Sequence, residues 1–135
     1  MPEATSAIPV GVYPYLTVAG AKKAVDFYTR AFGAVEEFRN EAPDGRIMHS
    51  RLRINTMAVL LSDDFPEHRA GGDAIVPQGV MIHLEVDDAD GWWKRAIDAG
   101  ASVRLQLQDM FWGDRYGQIK DPFGHTWSIG APIKK

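Results

Sequence analysis

His83 and Glu85 stand two residues apart in the run Val80-Met81-Ile82-His83-Leu84-Glu85-Val86. On an extended chain that spacing turns both side chains to one face. An imidazole and a carboxylate so placed can work as a coupled acid and base, which makes them the candidate catalytic residues. His49 and Arg51 share the same spacing in the run 46–54, and Tyr13 and Tyr15 in the run 12–18. Phe111 and Trp112, followed by Arg115, make an aromatic segment that reads as a mobile flap, a fixed plug or a dimer contact. Aromatic faces such as these stack on planar ligands. The chain has no cysteine, which excludes disulfides, thiolate metal sites and a thiol nucleophile. His49, His83 and Glu85 would suit a divalent cation if the fold brought them together, but their spacing does not force it. Each of these residues also has a plainer reading, as a hydrogen-bonded strand histidine, a packed tyrosine or a solvated edge arginine.

The elements that must position them form an internal repeat. The run Val12-Tyr13-Pro14-Tyr15-Leu16-Thr17-Val18 matches the run 80–86, with Val18 and Val86 lying 68 residues apart. A short polar turn follows each run and leads into an amphipathic helix. The first helix carries Ala24, Phe27, Tyr28, Ala31 and Phe32 at helical spacing, the second Trp92, Trp93, Ala96 and Ile97. Each stops at Gly-Ala, where glycine takes a left-handed cap without a Cβ clash. Asp88 is the expected N-cap of the second helix, and Gly20 a weaker one for the first.

Strand-like runs follow at 35–40, 46–54 and 57–62, and again at 102–108, 114–120 and 125–129. The expected fold class is therefore α+β, with two β-α-β-β-β modules. Module one spans about residues 8–62, a linker 63–78, and module two about 79–131. One helix covers only one face of each four-stranded sheet, so the other face needs a different partner.

Alternation predicts which side chains that face carries. Val80, Ile82, Leu84 and Val86 belong under the helices, leaving Met81, His83 and Glu85 on the opposite side. Val12, Leu16 and Val18 take the helix side, against Tyr13, Tyr15 and Thr17. In the third run Met48, Leu52 and Ile54 oppose His49, Arg51 and Arg53. In the last, Trp127 and Ile129 are core, leaving Thr126 and Ser128. A shared surface this polar and aromatic fits a ligand cavity.

Net charge is −3, from 15 Lys and Arg against 18 Asp and Glu, with no basic run. Nucleic-acid binding is therefore not expected. No apolar stretch approaches the roughly 20 residues of a membrane helix, so no membrane association is expected. Residues 1–9 lack the pattern of a secretory signal, and a cytoplasmic location is expected.

The run Tyr15-Leu16-Thr17-Val18, the later Asp26-Phe27-Tyr28 and Ala31-Phe32-Gly33-Ala34 together resemble the vicinal-oxygen-chelate superfamily. Val86-Asp87-Asp88, Ala99-Gly100-Ala101 and Asp121-Pro122-Phe123-Gly124-His125 carry the likeness into the second half. The stretch from Gln108 to Arg115 is similar to the PhnB-like branch. The resemblance covers about residues 10 to 131. It implies a paired half-barrel around a cavity, as in glyoxalase I, bleomycin- and fosfomycin-resistance proteins and extradiol dioxygenases. It also implies a divalent ion held from the first, fourth, fifth and eighth strands. Here those positions are Tyr13, Leu60, Met81 and Ser128.

Leu offers no donor, the Met thioether is soft, and neutral hydroxyls bind hard cations poorly. No cofactor is therefore expected. The chain is read as a small-molecule-binding protein without the usual metal, whose ligand meets Tyr13, Tyr15, His49, Arg51, Met81, His83, Glu85, Phe111, Trp112, Arg115 and Ser128. The alternative is a lyase, isomerase or dioxygenase with a displaced metal or a metal-free acid–base site. A homodimer is expected from the resemblance and from the frequency of two-fold assemblies.

Overall fold

Apolar periodicity and turn glycines divide the chain much as the sequence suggests. The computed structural model describes residues 11–68 and 76–134. In chain order it runs β1 (Tyr15–Val18), α1 (Ala21–Phe32), β2 (Val35–Glu41), β3 (Ile47–Ile54) and β4 (Met57–Asp63). A short 3-10 turn (Pro66–His68) precedes β5 (Met81–Glu85), α2 (Ala89–Ala99), β6 (Ser102–Asp109), β7 (Asp114–Lys120) and β8 (Thr126–Pro132). The expected boundary of module one at residue 8, the stretch 1–9 and the middle of the linker fall outside the described residues.

Both modules use one topology. The strand orders are β1-β4-β3-β2 and β5-β8-β7-β6. β1 pairs β4 in parallel and β5 pairs β8 in parallel, while the other pairs are antiparallel. The repeat survives in the register. Tyr15 pairs with Leu60, and His83 with Ser128, so the two pairs are counterparts.

The helices end as expected and begin differently from each other. Gly33 takes φ 66° and its N–H donates to the Thr29 carbonyl. The Asp88 carboxylate caps α2 by accepting from the Gly91 N–H at 3.3 Å. Gly20 brings no side chain to the start of α1. Asp63, at the end of β4, fills that role from a distance: one oxygen accepts from the Gly20 and Ala21 N–H groups at 3.0 and 2.9 Å. Its other oxygen accepts from the Ile47 N–H at 2.7 Å. A carboxylate there also meets the positive end of the helix dipole.

One core joins the modules. The two helices pack on each other and on one side of both sheets. Tyr28 and Phe32 of α1 lie against Trp127 of β8, with ring centroids 5.4 and 4.7 Å apart. All three are fully buried, and each such side chain is worth roughly 1.5–3 kcal/mol. Arg95 of α2 donates to the carbonyls of Arg30 and Thr29 at the end of α1.

Three expectations about the core need correction. Val12 and Val80 are exposed rather than covered, because each precedes the first paired residue of its strand. Met48 is exposed and Ile47 buried. A bulge explains the exchange: Asn40 pairs with His49 and Glu41 with Ile47, so Met48 is the extra residue that shifts the alternation. Trp93 is buried, and Trp92 packs partly against the core. Among the described residues no helix is long and apolar enough to cross a membrane.

Candidate functional site

The face of each sheet away from the helices is open, and strand register arranges it in rows. Tyr15, Leu60, Arg51 and Phe38 form one row in module one. His83, Ser128 and Gln118 form the corresponding row in module two.

In module one, aromatic and basic groups interlock. The Arg51 guanidinium lies 5.1 Å from the Tyr13 ring centre and 3.4 Å from Glu37. The Tyr15 hydroxyl and His49 Nδ1 are 3.0 Å apart, and Phe38 flanks the same imidazole at 5.7 Å.

In module two, His83 is held at both ring nitrogens. Ser128 Oγ lies 2.7 Å from Nδ1, and Glu85 Oε1 lies 2.9 Å from Nε2. A carboxylate accepts the Nε2 hydrogen, so in the neutral ring the buried Ser128 hydroxyl donates to Nδ1. Tyr116 stacks on His83 at 6.0 Å, and Trp112 meets Tyr116 edge-on at 5.7 Å. Gly130 makes room for this stack. A Cβ there would stand 3.0 Å from His83 Cε1 and 3.4 Å from Tyr116 Cδ1.

The two faces meet where β1 and β5 run beside each other. A cleft of about 600 Å³ lies on that seam, lined by Tyr13, Tyr15, Met81, His83 and Thr126 among others. A smaller cleft of about 330 Å³ continues past His83 towards Met57, Asn55 and Glu85. Tyr13 and His83 thus share a cleft within one chain. His49 and Arg51 stand behind the tyrosines, and Phe111 projects fully into solvent beside Trp112.

Arg115 lies elsewhere. It faces the helices, bonding Asp90 of α2 at 3.0 Å and Asp109 at 3.0 Å. Alternation along β7 explains this, since Arg115, Gly117 and Ile119 share the helix side while Tyr116 and Gln118 take the open side. Tyr116 is the residue the sequence reading missed. The same alternation would have found it.

The four positions at which the superfamily holds its metal do not fit a divalent ion. Leu60 has no donor, Met81 offers a soft sulfur, and the Ser128 oxygen is taken by His83. The displaced alternative is not assembled either: His49 bonds Tyr15 in module one while His83 and Glu85 bond each other in module two. Among the described residues no three His, Cys, Asp or Glu converge.

Two mixed four-stranded sheets, each with one helix on the same side and an open face meeting at a seam, define a paired β-α-β-β-β protein. The chain belongs to the Glyoxalase/Bleomycin resistance protein/Dioxygenase superfamily, whose family model matches residues 11–129. It is 47% identical over 127 residues to an uncharacterized protein of Mycobacterium tuberculosis, across 90% of this chain and 74% of that one. Its fold is similar to that of protein PA1353 from Pseudomonas aeruginosa, with 25% identity, a TM-score of 0.75 and coverage of 93% and 100% of the two chains. A PhnB protein from Bacillus cereus shares the fold at 14% identity and a TM-score of 0.71, over 90% and 99% of the chains.

Proposed function

We propose that this chain binds an organic small molecule in the β1–β5 cleft and holds no divalent ion at the superfamily's four positions. The donor set of Tyr13, Leu60, Met81 and Ser128 carries the reading. A site that has replaced hard donors with a hydrocarbon and a thioether favours contact with a ligand over coordination. In this reading the chain works as a cytoplasmic homodimer. The exposed Phe111 and the half-exposed Trp112 and Phe38 are the groups a second copy would cover.

Native mass spectrometry of the purified chain tests all three parts. The expected result is a dimer, a co-purified organic mass, and less than stoichiometric metal by elemental analysis. One divalent ion per subunit, lost in His83→Ala, overturns the metal-free reading.

The hydrogen-bonded line Ser128–His83–Glu85 supports a second reading, metal-free proton transfer. His83 would take up a proton at Nδ1 through the Ser128 hydroxyl, which passes its own hydrogen on and receives that of a bound molecule, while Glu85 balances the imidazolium. That reading requires turnover in chelator-treated protein, abolished by His83→Ala and strongly reduced by Glu85→Gln.

A further inference from the structure

We infer that the molecule bound in the β1–β5 cleft is electrically neutral and largely aromatic; this rests on the binding reading above and adds the ligand's class. The cleft, at about 600 Å³, lies within the range of sites for drug-sized molecules. Among the described residues that line it there is no Asp, Glu, Lys or Arg. Charged residues make up 24% of the chain, so their exclusion from the described lining of this cleft is a property of this surface.

The charges beside the cleft already have partners. Arg51 sits against the Tyr13 ring and Glu37. Glu85 faces the smaller cleft and holds His83 Nε2. The two histidines in the lining also have partners: His83 bonds at both ring nitrogens, and His125 Nε2 donates to the Thr17 carbonyl at 3.0 Å.

An ionic ligand entering here would lose hydration and meet no free counter-charge among the described residues, an arrangement that disfavours its binding. A neutral ring system meets the opposite situation. Tyr13 and Tyr15 offer stacking faces, and the Met81 thioether adapts to the edge of an aromatic ring. Tyr15 is 51% exposed and Met81 39%, so both present apolar surface for a ligand to cover. Gln78 and Thr126 supply uncharged hydrogen-bonding groups at the rim.

Three fluorescent probes with one ring system test this: 1-pyrenemethanol, 1-pyrenecarboxylate and 1-pyrenemethylammonium, titrated into the full chain at neutral pH. Each titration is repeated with Tyr15→Ala and Met81→Ala, whose folding is checked by thermal melting. The alcohol is expected to bind more tightly than either ion by about tenfold or more, and to lose about tenfold or more in each variant. If an ion binds as tightly as the alcohol and still depends on Tyr15 and Met81, the neutral-ligand inference is overturned while the cleft remains the binding site. If no probe depends on these two residues, the cleft reading itself fails, and the inference with it.

Discussion

The phenol of Tyr28 in module one donates a 2.5 Å hydrogen bond to the Asp121 carboxylate of module two, 93 residues further along. Asp121 also accepts from the Trp127 indole at 2.8 Å and from the N–H groups of Phe123 and His125 at 2.8 and 3.0 Å. The Asp-Pro-Phe-Gly-His turn is thus a bolt between modules. A buried carboxylate is tolerable here because four donors satisfy it.

Removing the phenol should therefore destabilise the whole chain. Tyr28→Phe is expected to cost about 1–3 kcal/mol, the range for depriving a buried charged acceptor of one donor. Urea unfolding at pH 8 measures it, and a change below about 0.5 kcal/mol would contradict the bolt. The same residue sets an alkaline limit. Burial pushes the Tyr28 phenol well above its ordinary value of 10.0, and the neighbouring Asp121 charge pushes the same way. The folded chain then holds this proton more tightly than the unfolded chain. The contribution of this phenol to stability is complete below pH 10 and is lost as pH rises from there through the raised folded value. Tyr28→Phe should lose less stability between pH 9 and 11 than the parent chain. Equal losses would remove Tyr28 from the alkaline limb.

Asp63 is the second point at which one carboxylate holds distant backbone. It serves the start of α1 and the start of β3 together. Asp63→Ala should cost about 1–2 kcal/mol, as loss of a strong helix cap does, and Asp63→Asn should recover part of it. Thermal melting compares the three proteins. Full stability in Asp63→Ala would show that the cap is idle.

Gly117 lies where β7 passes beneath α2. A Cβ there would stand 2.6 Å from Trp93 Cζ3 and 2.9 Å from the Leu107 backbone. The indole can shift, but the neighbouring strand cannot move without breaking its ladder. Gly117→Ala is expected to lose about 1–3 kcal/mol by overpacking, read from the shift in urea midpoint. An unchanged midpoint would mean that β6 and β7 separate more easily than this packing implies.

Arg46 governs an acid-sensitive corner. Its guanidinium stacks on Phe65 at 4.2 Å, bonds Asp44 at 2.8 Å and reaches Glu67 at 2.5 Å. The hydrogen bond from Arg46 holds the Glu67 carboxyl down to about 2, from an ordinary 4.5. A depressed carboxyl contributes stability above its unfolded value and loses it as pH falls from 4.5 towards 2. Both side chains are substantially exposed, so the effect should be small and weakened by salt. Glu67→Gln should flatten the melting-temperature profile across that window in low salt. A profile parallel to the parent chain's would show that the pair contributes nothing to stability.

Local patterns made much of this protein legible. The 68-residue repeat announced two copies of one module, and Gly33 and Gly100 marked the helix ends. Alternation in residues 81–85 turned Met81, His83 and Glu85 to the open face, because side-chain direction along a strand is fixed by the strand itself. It failed at Met48, where a bulge that depends on the partner strand reset the phase.

Four relationships were decided only by tertiary structure. Arg115 found its partner Asp90, Asp63 capped a helix 42 residues away, Tyr28 found Asp121, and Ser128 met His83. Each joins residues whose separation along the chain exceeds any local period. Sequence determined the elements and their faces, because backbone geometry repeats over a few residues. Only packing determined which faces met, because that choice is made where separate elements bury a shared surface.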